Sequence, residues 1–144
     1  MFRNTADSEA DVERFIRRVA DYDIVWYLTS PEGPACSSSN AELEDHEEPA
    51  TILLFFSDRA YANGARIQSF PKHEVVSMKL FDFRYRWLPG MAGDGVLAGP
   101  NWTGGLIGLE LDPVDLRKAI DTAMTPEHLK CHEEMFDELF KHES

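Results

Sequence analysis

The segment 87–102 restricts the fold of this chain most strongly, because helix, turn and strand signals follow one another within it. An aromatic run reaches Pro89-Gly90, further glycines follow, and two short apolar stretches come next at 96–98 and 106–111. Proline and glycine mark the ends of elements and the turns between them. We therefore expect a helix that stops at Pro89-Gly90 and two strands, 96–98 and 106–111, joined as a hairpin.

Three other stretches have the composition of strands. Residues 24–29 and 74–79 are rich in β-branched and aromatic or apolar side chains, and residues 51–56 form a continuous apolar run. A continuous run is typical of a central strand that is covered on both faces. Together with the hairpin, these stretches predict a mainly antiparallel sheet of about five strands.

Helix starts are marked by capping residues. Ser8, Ser57 and Thr125 each precede a segment with helical signals, and Asp112 is followed by proline, which is favoured in the first helical turn. Residues 80–88 fit both a strand and a helix periodicity, and we assign them to a helix. The mixture of elements predicts an α+β fold, with the sheet flanked by helices and an added C-terminal amphipathic helix.

Length and composition predict one domain over residues 1–144. The chain has 144 residues, of which 43% are hydrophobic and 28% charged, as in an ordinary globular domain. We expect its core to span about 8–122, with a mobile acidic loop at 36–49 and a C-terminal helix at 126–141. The loop assignment depends on serine and acidic residues without apolar periodicity.

The charge balance narrows the classes of partner. Lys and Arg number 14 against 26 Asp and Glu, a net charge of −12, which repels nucleic acids and anionic membrane surfaces. The same charge favours a basic protein as partner, although it also keeps a protein soluble. With only Cys36 and Cys131 and no long apolar segment or signal core, we expect a cytoplasmic protein.

The sequence predicts no metal, no cofactor and no catalytic residues. His128, Cys131 and His132 have the spacing of one helix face, which could meet a metal. However, His132 belongs to an apolar stripe and no second ligand cluster is visible. A zinc-protease helix is excluded because Phe136 stands where its second histidine is required. No nucleophile motif is present, and Cys36 has no evident basic neighbour.

Two groups of residues are candidates for recognition. Arg84, Arg86, Asn101 and Trp102 have the composition of a binding surface, although core packing for the tryptophan and solvation for the arginines is the more ordinary explanation. The second group forms the apolar stripe of the C-terminal helix and predicts a homodimer if nothing within the chain covers it. Its members are Leu129, Met135, Phe136, Leu139 and Phe140.

Several motifs together resemble a known family. They are residues 25–28, 52–58, 86–89 and 108–116. In this combination the chain resembles the small bacterial family called domain of unknown function 2750, over about residues 8–122. That family has no established activity, so the resemblance assigns no site residue. The helix start within 108–116 is also similar to the N-terminal domain of the enhanced serine sensitivity protein and related immunity-type modules.

These observations lead to two functional hypotheses. The first is a non-enzymatic protein-binding module of the bacterial cytosol, of immunity or regulatory type, which meets a basic protein through its acidic surface. The alternative is a small-molecule-binding protein or enzyme with a pocket near Arg84, Arg86, Asn101 and Trp102. The alternative requires these four side chains to converge.

Overall fold

The computed structural model describes residues 5–39 and 48–140 and confirms the α+β fold. The strands are β1 (Ile24–Ser30), β2 (Gly33–Pro34), β3 (Cys36–Ser38), β4 (Thr51–Phe56), β5 (Glu74–Lys79) and β6 (Leu97–Pro100). The helices are α1 (Thr5–Tyr22), α2 (Arg59–Ser69), α3 (Leu80–Asp82), a π-helical segment (Phe83–Trp87), α4 (Leu88–Asp94), α5 (Pro113–Ala123) and α6 (Pro126–Phe140). In the described part of the chain, no helix has the length and hydrophobicity needed to cross a membrane.

The sheet is mainly antiparallel, as predicted. β1 pairs antiparallel with β5 along its length and with β4 at Trp26 and Tyr27. β4 also pairs antiparallel with β3 and parallel with β6. Among the described strands, β5 pairs only with β1, so its other edge carries no strand.

Burial on β4 confirms that it is a central strand covered on both faces. Ile52, Leu54 and Phe56 pack in one apolar cluster with residues of α2. Phe55 lies in the other cluster, whose members come mainly from α1, the helical segment 80–94 and α5. Successive side chains of a strand point to opposite faces, so the apolar run places helices on both sides of the sheet.

The helix assigned at 80–88 is confirmed, but its predicted end at Pro89-Gly90 is wrong. The helical segment continues to Asp94 and ends at Gly95, whose φ of 70° is the left-handed conformation that glycine adopts easily. Proline lacks a backbone N–H and is tolerated where the regular hydrogen-bond ladder is interrupted. Here the preceding turn is π-helical, with the Leu88 N–H donating to the carbonyl of Phe83.

The predicted hairpin between 96–98 and 106–111 is also wrong. β6 pairs parallel with β4, and its only antiparallel contact in the described chain is a single bridge between Ala98 and Leu111. The Trp102 Nε1–H donates to the Leu109 carbonyl at 2.8 Å, so this carbonyl accepts from a side chain and not from a neighbouring strand. Residues 106–111 therefore form a loop folded over the indole ring.

Two of the four predicted caps are confirmed. The Asp112 carboxylate accepts from the Val114 N–H at 2.8 Å, and the Thr125 hydroxyl accepts from the His128 N–H at 3.1 Å. The other two caps are wrong. Ser8 lies buried inside α1, which already includes Thr5, because a capping pattern can also occur within a longer helix.

Ser57 does not cap α2. Its N–H donates to the Asn101 side chain and its hydroxyl to Asp58, so neither group serves the helix. The cap position belongs to Asp58, although its side chain makes no capping hydrogen bond, and α2 continues to Ser69.

The segment 36–49, predicted as an acidic loop, begins with a strand. Cys36 and Ser38 of β3 pair with Leu53 and Thr51 of β4. Strand pairing prevails here over a composition typical of a loop. Residues 40–47 lie outside the described part of the chain.

Candidate functional site

The outer face of the helical segment 80–94 is covered by α6. The ring of Phe136 stacks on Tyr85 with centroids 4.9 Å apart, and the buried His132 ring meets Phe81 edge-on at 5.6 Å. Met135 and Phe136 are half-buried, and Leu129 packs against the main core. The apolar stripe is therefore covered within the chain over its first turns.

The end of the stripe is exposed. Leu139 and Phe140 keep 48% and 37% of their surface accessible. The homodimer therefore stays a prediction. Its interface would consist of the last turn of α6 and not of the whole helix.

His132 is the centre of a hydrogen-bonded network. Its Nδ1 lies 2.9 Å from Nη1 of Arg84, and its Nε2 lies 3.0 Å from Oδ1 of Asp23. A guanidinium can only donate, so Nδ1 accepts and Nε2 carries the proton that is donated to Asp23. Burial lowers the pKa of His132 against the opposing effect of Asp23, and the nearby charge of Arg84 lowers it further. The neutral ring with the proton on Nε2 is the form that fits.

The same Asp23 oxygen also lies 2.8 Å from Nε2 of His128. The ligand atoms of Asp23, His128 and His132 all lie within 4.8 Å of one another, which is a distance range that a metal ion could span. The sequence spacing identified the two histidines but missed Asp23. Cys131, which had been grouped with the histidines, is exposed, and it lines a groove on the adjoining surface.

Arg84 is a buried cation and not a surface residue. Its side chain is 4% exposed, its Nε donates to Oδ1 of Asp121 at 2.8 Å, and its guanidinium lies over the Tyr85 ring at 5.0 Å. Together with its contact to His132, these bonds connect the helical segment 80–94 to both α5 and α6. The expectation that Arg84 is solvated is wrong.

The four predicted binding residues do not form one group. Arg84 belongs to the His132 network, whereas Arg86 is exposed beside Asp82, with an N···O distance of 3.5 Å. Asn101 and Trp102 follow β6 and line a cavity of about 390 Å³. Other residues lining this cavity are Asp11, Tyr61, Gly64, Gln68 and Thr103.

Asn101 is held tightly at one end of this cavity. Its Oδ1 accepts from the Ser57 N–H at 2.9 Å, and its Nδ2 donates to the Ser57 hydroxyl at 2.9 Å and the Asp11 carbonyl at 3.1 Å. Its φ of 51° lies in the left-handed region, which asparagine tolerates better than most residues. These bonds fix the turn after β6 against α1 and the end of β4.

A charged contact joins α1 to the start of α2 beside this turn. Asp58 lies 3.1 Å from Nε of Arg14 and 2.7 Å from Nε of Arg18. Burial acts to raise the pKa of Asp58, but hydrogen bonds from Arg14 and Ser57 and the charges of both arginines outweigh it and hold the pKa below its usual value. The carboxylate is thus ionised and bound to α1.

A larger groove of about 770 Å³ lies between β5 and α6. We call it the β5–α6 groove. Its apolar lining is Met78, Phe81, Met135 and Leu139, its charged lining is Lys79, Asp82, Glu134 and Glu138, and Ser77 and Cys131 complete it. The groove combines adaptable methionine side chains with an acidic rim, which suits a partner that is both apolar and basic.

The fold and these sites define a small α+β domain with an additional C-terminal helix. Residues 12–120 match the family described as protein of unknown function DUF2750, and the chain belongs to that family, as the sequence resemblance predicts. No curated protein and no solved structure matches the chain. The family match ends before α6, so His128, His132 and one wall of the β5–α6 groove lie outside the matched span.

Proposed function

We propose that the protein is a non-enzymatic protein-binding module of the bacterial cytosol, of immunity or regulatory type. Its β5–α6 groove receives a basic, apolar segment of a partner protein. The observation that carries this proposal is the combination of an apolar lining with a mainly acidic rim in a groove of about 770 Å³. The thiols of Cys36 and Cys131 are both free, which agrees with a reducing compartment.

The charges near the groove support a basic partner over a second copy of this chain. Glu134 and Glu138 line it from α6, where Glu127, Glu133 and Asp137 are also exposed. Two copies that met through this surface would bring like charges together, which costs free energy unless the charges are compensated. A lysine-rich segment compensates them and also gains from electrostatic attraction during encounter.

The free edge of β5 supports an extended conformation for the bound segment. Ser77, Met78 and Lys79 of β5 line the groove, and β5 pairs only with β1 among the described strands. A peptide that adds to a strand edge makes backbone hydrogen bonds while its alternate side chains point to one side. Apolar side chains at alternate positions can therefore reach the groove lining, while lysines at the two ends of the segment lie near its acidic rim.

A labelled peptide with valines at alternate positions and lysines at both ends tests this proposal by fluorescence anisotropy. We expect the E134K/E138K variant to weaken peptide binding by more than about tenfold, which corresponds to a loss of more than roughly 1.4 kcal/mol of binding free energy. The matched control is E127K/E133K, which makes the same charge change on the same helix outside the groove lining. Raising the salt concentration should weaken binding to the native protein.

The apolar part of the interaction needs its own pair of variants. Leu139 and Val114 are equally exposed, at 48%, but only Leu139 lines the groove. We expect Leu139→Asp to weaken binding and Val114→Asp to leave it nearly unchanged. Each substitution adds one negative charge, so a difference between them reports the loss of an apolar side chain from the groove. If E134K/E138K and E127K/E133K weaken peptide binding equally, or if Leu139→Asp does not weaken it, the peptide is held by general charge attraction. Either result would contradict a binding site in the groove.

A second candidate function is the binding of a small molecule in the cavity beside Asn101 and Trp102. Its volume of about 390 Å³ lies within the usual size of ligand pockets, and its lining mixes polar and apolar groups. The cavity also lies beyond the carboxyl ends of the parallel strands β4 and β6, a common place for ligands in such sheets.

Thermal-shift screening against a metabolite library distinguishes this candidate. Gly64 lines the cavity within α2, and a Cβ there meets nothing within 4 Å, so Gly64→Leu should fill the space without disturbing the helix. We expect a compound that raises the melting temperature of the native protein to lose that effect in Gly64→Leu. Gly93→Leu is the matched control, since Gly93 is also helical and unobstructed. A shift retained in both variants would place the compound elsewhere.

A further inference from the structure

We propose that Asp23, His128 and His132 form a binding site for a divalent transition-metal ion of the zinc class. This inference is independent of the proposed function, and it replaces the expectation that the chain binds no metal. The donor set consists of two imidazole nitrogens and one carboxylate oxygen, which zinc and its neighbours in the first transition series accept.

The separations of the donor atoms fit an ion. Zinc bonds to imidazole nitrogen and carboxylate oxygen are about 2.0–2.2 Å long, so neighbouring donors around one ion lie roughly 3.0–3.5 Å apart. Oδ1 of Asp23 already lies 2.8 Å from Nε2 of His128 and 3.0 Å from Nε2 of His132. The third separation, between the two histidine nitrogens, is within 4.8 Å, and rotation of the rings would admit the ion, because it replaces protons that now lie between these atoms.

The backbone supports this arrangement from two directions. His128 and His132 are one turn apart on α6, with ring centroids separated by 4.7 Å. Asp23 has a φ of 62°, and its backbone is held by hydrogen bonds to Val19 and Leu80, each of 3.0 Å. The ligands thus come from a rigid helix and a fixed turn.

The site is accessible on one side. The Asp23 side chain is 48% exposed and that of His128 is 23% exposed, whereas His132 lies at the buried end. An ion can enter from solvent and keep water in its remaining coordination positions, as catalytic and exchangeable zinc sites do.

Arg84 sets the strength of the site. When Nε2 of His132 binds a metal, the neutral ring carries its proton on Nδ1, and metal-bound histidines usually donate that proton to an acceptor. Here Nδ1 faces Nη1 of Arg84, which can only donate. Metal binding therefore requires Arg84 to leave His132, while its bond to Asp121 can remain. The guanidinium favours the proton over the metal and keeps the site weak.

Titration of the untagged full chain with Co²⁺, followed by visible absorption, tests the site. We expect one ion per chain and more than about tenfold weaker binding in Asp23→Asn and in His128→Ala, since even the loss of an outer-shell partner costs about 10–100-fold. Arg84→Met should bind Co²⁺ roughly tenfold more tightly, because it removes a donor that opposes the proton on Nδ1 of the metal-bound His132. Zn²⁺ should displace the cobalt and abolish the spectrum.

Matched controls separate this site from other donors. Asp21→Asn makes the same change on an exposed carboxylate two residues away, and Lys130→Ala alters the exposed surface of α6 between the histidines. Both should bind as the native protein does. A native affinity in Asp23→Asn, or an intense thiolate-to-cobalt band that identifies Cys131 as a ligand, would overturn the site. An unchanged or weaker affinity in Arg84→Met would overturn the role given to the arginine.

Discussion

Asp121→Ala should destabilise the fold by about 2–3 kcal/mol, and the double variant R84M/D121A should lose less than the sum of the two single variants. Removing one partner of a buried ion pair costs about 3–5 kcal/mol, because the other charge stays buried without compensation. Asp121 is 37% exposed, so solvent already screens part of its interaction and the expected loss falls to the bottom of that range or below it. In the double variant the buried guanidinium is also gone, and methionine fills its apolar volume. We expect the loss in the double variant to be at least about 1 kcal/mol smaller than the sum of the two single losses.

Urea denaturation of the native chain, both single variants and the double variant measures the coupling. Arg84→Met alone should lose stability mainly because Nδ1 of the buried His132 loses its donor, at about 1–3 kcal/mol. Glu133→Ala on the exposed face of α6 is the control and should change stability by less than about 0.5 kcal/mol. Additive losses in the cycle would mean that Arg84 and Asp121 act separately and that the guanidinium is hydrated.

Arg84 also attaches α6 to the rest of the domain. Arg84 bonds to Asp121 of α5 on one side and to His132 of α6 on the other. The family match ends at residue 120, so it includes Arg84 but stops one residue before Asp121 and does not reach α6. The guanidinium is therefore one of the contacts that hold α6 on the domain, together with the ring contacts of Phe81 with His132 and of Tyr85 with Phe136.

Local signals in the sequence were sufficient for much of the fold. The caps at Asp112 and Thr125 were predicted correctly because a capping side chain and a following proline act within one turn. The central position of β4 was also predicted, since a continuous apolar run requires cover on both faces. These features depend on contacts that the sequence pattern itself describes.

The errors arose where distant contacts override a local pattern. Residues 106–111 are mostly apolar, as in a strand, but the Trp102 indole N–H donates to the Leu109 carbonyl and the chain forms a loop. Pro89 suggested a helix end, whereas the π-helical turn before it accommodates the missing N–H. Neither the indole contact nor the widened turn has a sequence signature of its own.

In the candidate sites, too, local sequence signals identified some residues, whereas contacts between distant residues could not be predicted. The spacing of His128 and His132 was evident, but Asp23 lies 105 residues before His128 in sequence and no local rule connects them. Likewise, Asn101 and Trp102 are neighbours in sequence and line one cavity, whereas Arg84, which was grouped with them, faces α5 and α6. Composition can nominate polar and aromatic residues, but only the packing of helices decides which of them meet.

Asn101→Ala should destabilise the protein by about 2–4 kcal/mol, although Asn101 was predicted as a binding residue. The substitution removes three hydrogen bonds and leaves the buried Ser57 N–H without its acceptor, which costs about 1–3 kcal/mol. It also places alanine at a φ of 51°, where a Cβ is unfavourable by about 1 kcal/mol. Chemical denaturation at constant pH measures the total loss.

Asn101→Gly separates the two contributions. It loses the same hydrogen bonds but tolerates the left-handed backbone, so it should be more stable than Asn101→Ala by roughly 1 kcal/mol. Equal stability of the two variants would show that the turn relaxes, and a native-like Asn101→Ala would mean that the side chain is retained for recognition. If the expected losses are found, weak ligand binding by either variant would reflect a disturbed turn after β6. For that reason the cavity is better tested through Gly64, which lines the same space without holding the fold together.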